Sequence, residues 1–329
     1  MLAIVCPGQG SQTPGFLAPW LELPGLRDQL EQLGSVAQLD LVEHGTVSDA
    51  DTIKDTAVAQ PLIVAAGLAG LQALFADDSK THTGAGVTLD AVDVVAGHSV
   101  GEITAAVAAG VLTPQDATVF VRDRGNGMAA ASAVRPTGMA AVLGGDEAEV
   151  VATLEQIGLT PANRNGAGQI VAAGTLEQID ALKQAPPAKA RVIPLQMAGA
   201  FHTEHMAPAA QELAQLAMSF STSDPSVALL SNKDGQRVED GTEVLRRLVS
   251  QVSSPVRWDR TMETMLAMGV TGLIELPPAG TLVGLAKRGM RGVETLALKT
   301  PDDLDAARRM ISEHGRSGQH DSVNNPTED

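Results

Sequence analysis

The chain has 329 residues, enough to bury a sizeable core as one large domain or as one domain carrying an insertion. Lys and Arg total 23 against 39 Asp and Glu, a net charge of −16 that disfavours nucleic acid and anionic membrane surfaces. Aromatic residues make up 2% with no tyrosine, which excludes a base-stacking platform and requires an aliphatic, alanine-rich core. The single cysteine, Cys6, allows no internal disulfide and reads as a small buried apolar residue in a reducing compartment. The start, MLAIVCPGQG, lacks a basic n-region, its apolar run is too short for a signal peptide, and no stretch approaches a membrane span. The expected location is the cytoplasm.

Leu2–Cys6 is predicted to be a buried strand ended by Pro7, followed by the loop Gly8-Gln9-Gly10-Ser11-Gln12. That loop matches neither G-x-G-x-x-G nor the P-loop pattern, so it is read as offering backbone N–H groups rather than cradling a nucleotide. Leu26 to Leu41 has helical spacing, Ala57–Phe75 is a strongly apolar helix, and Asp77–Val87 is a polar surface loop. Val94–Ala106, VVAGHSVGEITAA, runs from an apolar strand into an alanine-rich helix through Gly97-His98-Ser99-Val100-Gly101. This is G-x-S-x-G in the strand-to-helix context that gives the motif meaning, with Ser99 exposed at a tight turn and the helix N-terminus aimed at whatever it attacks.

Thr113 is an N-cap with Pro114 at the first helical position, and the helix carries Arg122 and Arg124, which face different ways. From Gly138 the texture changes: GMAAVLG strand, DEAEVVATLEQIG helix, LTPANRN strand, GQIVAAG strand, TLEQIDALKQA helix, KARVIPLQM strand. That β-α-β-β-α-β order within about sixty residues is ferredoxin-like and marks an insert, residues 134–198, in a larger domain of 1–133 and 199–314. After it, Phe201–Met218 reads as a helix beginning FHTEHM, Val227–Ser231 as a strand, Thr242–Ser253 and Asp259–Met268 as helices, and Gly272–Leu276 as a strand. Thr281–Arg288 and Asp302–His314 are further helices flanking the strand Val293–Leu298. Strands alternating with helices outside the insert predict an α/β large domain with a mostly parallel sheet covered on both faces. Gly315–Asp329 is polar and aperiodic, and is expected to be a disordered tail.

A serine nucleophile needs a base. His82, His314 and His320 fall in loop or tail positions, His44 has no context, and His98 adjoins Ser99, where successive side chains point apart. His202 and His205 remain, and the apolar approach Gly199-Ala200-Phe201 would keep His202 dry and neutral. The competing use is metal binding, but H-T-E-H matches neither H-E-x-x-H nor H-x-x-E-H, and one cysteine makes no zinc site. No metal is expected.

Six segments taken together resemble the malonyl-CoA:acyl-carrier-protein transacylases of fatty-acid and polyketide synthesis. They are PGQGSQ at Pro7–Gln12, GHSVGE at Gly97–Glu102, Arg124-Gly125, NGAGQIVAAG at Asn165–Gly174, GAFH at Gly199–His202 and QVSSPVRW at Gln251–Trp258. The resemblance implies a hydrolase-like large domain with a ferredoxin-like insert and the active site between them. It implies Ser99 as nucleophile, His202 as base, backbone N–H groups of Gln9 and Val100 as oxyanion hole, and Arg124 as holder of the malonyl carboxylate. It further implies a backbone carbonyl at Gln251 orienting His202, Asn165 lining the site, and Phe201 crowding methyl-branched substrates. The chain departs from the family at Leu276-Pro277-Pro278-Ala279-Gly280, where many relatives carry V/L-G-P-G. Malonyl-CoA and CoA would be substrate and product with no tightly bound cofactor, an acyl carrier protein the partner, and the protein a monomer.

The same G-x-S-x-G serves esterases and thioesterases, but those follow the order Ser, Asp/Glu, His, and here an acid such as Asp224 comes after His202. A non-catalytic carrier-docking module is the third reading. Carrier proteins of this system are acidic, so docking on an acidic chain requires a local basic patch; Lys287, Arg288 and Arg291 form one cluster and Lys183, Lys189 and Arg191 another.

Overall fold

The computed structural model describes residues 1–75, 89–197 and 199–316. The loop expected at Asp77–Val87 and the tail beyond Arg316 lie outside them. Ten strands form two sheets among the described residues. They are β1 (Leu2–Cys6), β2 (Val94–Gly97), β3 (Thr137–Gly144), β4 (Thr160–Gly166), β5 (Gln169–Thr175), β6 (Ala190–Pro194), β7 (Ala228–Leu230), β8 (Arg237–Val238), β9 (Gly272–Glu275) and β10 (Glu294–Ala297).

The larger sheet runs β10-β9-β1-β2-β7-β8, parallel throughout except for β8 at its edge. Its centre is β1, every residue of which is buried. Side chains alternate across a strand, so Leu2, Ile4 and Cys6 join one apolar layer while Ala3 and Val5 join the other. Helices therefore cover both faces, as a parallel sheet requires. Cys6 is 1% exposed, and burial pushes its thiol far up from its usual range, so it behaves as an apolar residue.

The helix Thr56–Phe75 is apolar on all sides. By length and composition alone it could cross a membrane, contrary to the sequence expectation that no stretch approaches a span. In the fold 78% of its apolar window is buried, which makes it a core helix. Gly67 and Gly70 on this helix allow close contact: a Cβ on Gly70 would stand 2.5 Å from Cδ of Pro277. The Pro277-Pro278 peptide is cis, and Glu275, just before it, accepts from the N–H groups of Gly280, Leu282 and Val283 at 2.8–2.9 Å, at the start of the helix Thr281–Gly289.

The smaller sheet is antiparallel, in order β4-β5-β3-β6. Its chain order β-α-β-β-α-β, with helices Glu147–Gln156 and Leu176–Gln184, is the ferredoxin-like arrangement. One face packs Ala140, Val142, Ile170 and Ala172 beneath these two helices. Met139, Val171 and Ala173, on the opposite face, join the core of the larger sheet.

Two expected helices are divided. Leu26–Ala37 ends where Gln38 turns left-handed (φ 56°), and Leu41–Thr46 begins anew with Asp40 accepting from Glu43 N–H. The helix expected at Phe201–Met218 spans only Ala207–Ala217, after a single 3-10 turn at Glu204–Met206. His202 precedes both, its φ of 61° incompatible with a helix. At the far end, Arg316 donates from its N–H to Ala91 and from Nε to the buried Asp93, both at 2.9 Å.

Gly101 and Gly284 separate crowding from freedom. A Cβ on Gly101 would stand 2.1 Å from the Cys6 carbonyl oxygen, whereas one on Gly284 meets nothing within 4 Å. Gly101→Ala is expected to cost ~3 kcal/mol of unfolding free energy, the upper end for overpacking. Gly284→Ala, in a helix, is expected to gain ~0.5–1 kcal/mol. Denaturant midpoints of the two variants check both signs.

Candidate active site

The turn after β2 places Ser99 at the carboxyl edge of the parallel strands, where open α/β sheets bind their ligands. Ser99 adopts φ 55°, a left-handed conformation unusual for a side-chain-bearing residue. The turn closes because Gly97 and Gly101 carry no Cβ; one added at Gly97 would stand 2.0 Å from the Gly101 carbonyl carbon. Asn232, just after β7, holds the turn with both ends of its amide. Oδ1 accepts from the Ser99 N–H at 2.7 Å, and Nδ2 donates to the Gly97 carbonyl at 2.6 Å.

His202 brings Nε2 to 2.7 Å from Ser99 Oγ, and its Nδ1 lies 2.8 Å from the main-chain carbonyl of Gln251. A carbonyl oxygen only accepts, so Nδ1 carries the hydrogen and Nε2 presents a lone pair to the serine hydroxyl. The ring is 3% exposed, and its pKa falls to about 3, first because burial penalises the cation and then because Arg124 lies near. The imidazole is neutral at rest. His205, the other candidate, sits in the 3-10 turn beyond.

Arg124 is 2% exposed, while Arg122 two residues away pairs with Asp123 and donates to the Val36 carbonyl. The Arg124 guanidinium donates to Gln60 Oε1 at 2.5 Å, to Gln251 Oε1 at 2.8 Å and toward Ser99 Oγ at 3.5 Å. None of these partners is a carboxylate. Burial lowers its pKa to about 10, so it remains a cation at neutral pH.

A cleft of about 460 Å³ between the two sheets opens over this group. Gln9 lines it from the loop after β1, its side chain donating to Lys54 O and Thr56 Oγ1 at 3.3 Å. Val100 lines it as the N-cap of the helix Gly101–Ala108, a position whose N–H has no intrahelical partner. Phe201, 3% exposed, closes the side next to His202. Asn165 reaches in from β4, and its Oδ1 lies 2.9 Å from His98 Nε2. The His98 ring meets Trp258 edge-on, with centroids 5.7 Å apart. All eight residues singled out from the sequence thus stand at or directly behind one cleft.

Several functional groups escaped the sequence reading. Asn232 had one signal, a polar pair closing an apolar strand in an α/β pattern. Gln60 lay hidden in an apolar helix. Glu102 closes the GHSVGE segment, and Gln251 contributes its side chain as well as its carbonyl. Asp224, an acid that follows His202 in the chain, accepts from the Gly241 N–H. Among the described residues, Glu294, Glu313 and His314 gather ligand atoms within 4.8 Å, but Arg309 donates to both carboxylates, and none of the three lines the cleft.

A strained serine between strand and helix, bonded to a neutral imidazole, defines a serine-nucleophile enzyme on an α/β scaffold. The acyl transferase domain family matches residues 3–314, and the chain belongs to that family. Malonyl CoA-acyl carrier protein transacylase of Mycobacterium tuberculosis (strain ATCC 25618 / H37Rv) is 52% identical over 305 residues, covering 93% of this chain and 98% of that one. The crystal structure of MCAT from Mycobacterium tuberculosis matches with a TM-score of 0.87 at 51% identity, covering 94% and 99% of the two chains. A malonyl-transacylase solved in complex with a holo type II PKS acyl-carrier protein matches with a TM-score of 0.83 at 29% identity, covering 94% and 99%.

The neutral imidazole has a measurable consequence. The ring resonances of His202, assigned by their loss in His202→Asn, are expected to stay at the neutral position as pH falls from 8 through 5, because a pKa near 3 lies below that whole range. An inflection near the ordinary histidine value would contradict the burial argument.

Proposed function

We propose that this chain transfers the malonyl group from malonyl-CoA to the phosphopantetheine thiol of an acyl carrier protein, through a malonyl ester on Ser99. His202 Nε2 takes the hydroxyl proton as Ser99 Oγ attacks the thioester carbonyl. The oxyanion forms against the N–H groups of Gln9 and Val100. Collapse expels the CoA thiolate, which collects the proton from Nε2. An imidazolium so disfavoured by burial surrenders that proton readily. The carrier thiol then gives its proton to Nε2, its sulfur attacks the ester, and Ser99 leaves with the proton returned.

The observation that carries the malonyl assignment is Arg124: a buried guanidinium bonded only to neutral groups, 3.5 Å from the nucleophile. A buried cation with neutral partners favours an anion brought by the substrate, and the free carboxylate of malonyl is one. Phe201 beside the base crowds a branched α-carbon, Asn165 fixes His98 next to the serine, and the Gln251 carbonyl orients the base. No metal or bound cofactor takes part.

The acidic carrier is read as docking at Lys287, Arg288 and Arg291. Arg288 lines the cleft and donates to Gln169 Oε1 at 3.1 Å, whereas Lys183, Lys189 and Arg191 do not line it. The same reading divides the chain into a large domain of 1–133 and 199–314 and a small domain of 134–198, monomeric and cytoplasmic.

Brief exposure of the protein to malonyl-CoA followed by intact mass measurement is expected to show one malonyl adduct, absent in Ser99→Ala. Free malonate accumulating without an adduct would instead indicate a hydrolase. Arg124→Ala is expected to slow malonyl loading about a hundredfold, the loss of a charged hydrogen bond in a buried site.

Docking is tested separately with Lys287→Glu/Arg288→Glu. Steady-state kinetics should show the KM for carrier protein rising about tenfold more than that for malonyl-CoA. Equal changes would remove this patch from the docking surface.

A further inference from the structure

Beneath the serine turn lies a carboxylate that bonds neither nucleophile nor base. Glu102, on the first turn of the helix Gly101–Ala108, is 5% exposed. One of its oxygens accepts from the Asn232 backbone N–H at 2.6 Å, and the other accepts from Gln251 Nε2. The same Nε2 donates to the Ser99 carbonyl at 2.9 Å, while the opposite end of that amide, Oε1, accepts from Arg124. Cation, amide and carboxylate thus stand in line: Arg124, Gln251, Glu102.

We propose that Glu102 is a positioning residue for malonyl selection, acting through the side chain of Gln251. By accepting from Nε2 it fixes the amide with its oxygen toward Arg124 and its N–H groups toward the serine turn. The guanidinium is held near Ser99 by a neutral acceptor, while the balancing negative charge stands one residue back. This spacing matters because a carboxylate placed directly on Arg124 would occupy the donors that a malonyl carboxylate needs. An amide bonded to a cation at one end and an anion at the other is also polarised by both, which strengthens the two bonds together. The inference rests on the malonyl-transfer reading given above and adds to it the group that keeps the malonyl-binding cation available.

Glu102→Gln reads the idea directly. The Asn232 backbone N–H cannot turn over, so the new side chain must give it the oxygen and present its NH2 toward Gln251. Gln251 then has to reverse, which turns N–H groups against the Arg124 guanidinium. Glu102→Asp keeps both acceptor oxygens and the charge.

The experiment is single-turnover acylation of Ser99 by malonyl-CoA and by acetyl-CoA, followed by intact mass, in wild type and both variants. The malonyl-to-acetyl rate ratio is expected to fall at least about tenfold in Glu102→Gln, the scale of one charge-assisted hydrogen bond. In Glu102→Asp the ratio is expected to stay within about threefold of wild type, even where both rates fall, because the acceptor is retained.

Equal loss of both rates in Glu102→Gln overturns the proposal. So does failure of that variant to fold, or a ratio in Glu102→Asp that falls as far as in Glu102→Gln; each would make the residue a structural support. A wild-type protein that takes acetyl but no malonyl overturns both this inference and the function it rests on. A malonyl adduct in wild type with an unmoved ratio in Glu102→Gln overturns this inference alone.

Discussion

Positions 97 and 101 admit no side chain, and the active site depends on that. A methyl group at 97 would sit inside the main chain of Gly101 and Glu102 across the turn, and one at 101 inside the main chain of Cys6 at the end of β1. Between these two positions the chain passes through a left-handed residue at 99. Such a conformation is costly for serine and persists only when its surroundings hold it from several sides. They do: Asn232 grips the Ser99 N–H, Gln251 donates to its carbonyl, and His98 N–H donates to the Cys6 carbonyl at 2.9 Å.

His202 is supported by a carbonyl where many serine enzymes place a carboxylate behind the histidine, and the difference is chemical. A carboxylate would stabilise the imidazolium, whereas a carbonyl fixes the tautomer and leaves the cation disfavoured. That arrangement suits a thiolate leaving group, which needs little help from an acid because thiols ionise near pH 8–9. It also suits an exchange that runs the same steps in reverse with a second thiol. The buried cation of the site is Arg124, with Glu102 behind it. Burial raises Glu102 to about 7, while its hydrogen bonds from Asn232 and Gln251 and the nearby Arg124 and Arg247 favour the charged form.

How far the sequence could be read follows the length scale of the signals. The α/β class, the ferredoxin-like insert and the serine turn were legible because each is written in local periodicity or in glycines flanking a motif. His202 and Arg124 became assignable through resemblance, since nothing local distinguishes an inward arginine from a solvated one. Gln60 and the side chain of Gln251 were not legible, and Asn232 was marked only by its place at the end of an apolar strand. Their partners lie 64, 152 and 133 residues away, and a neutral amide carries no sequence signature of the bonds it makes. The helix expected at Phe201 failed for a related reason: the conformation of His202 is dictated by the main-chain bond from its N–H to the Val252 carbonyl, not by helix propensity. Thr56–Phe75 shows the converse, an apolar run whose composition fits a membrane and whose packing fits a core.

Besides the packing of Met139, Val171 and Ala173, a short main-chain ladder joins the smaller sheet to the larger domain. Arg164 N–H donates to the Val256 carbonyl at 2.9 Å, Val256 N–H donates to the Ala162 carbonyl at 2.8 Å, and Asn163 faces Val256 in parallel. Val256 stands five residues beyond Gln251, on the segment whose carbonyls hold His202 in place. The two lobes therefore share a tendon. The main-chain bonds that tie β4 to Val256 also brace the short segment on whose carbonyls the imidazole rests.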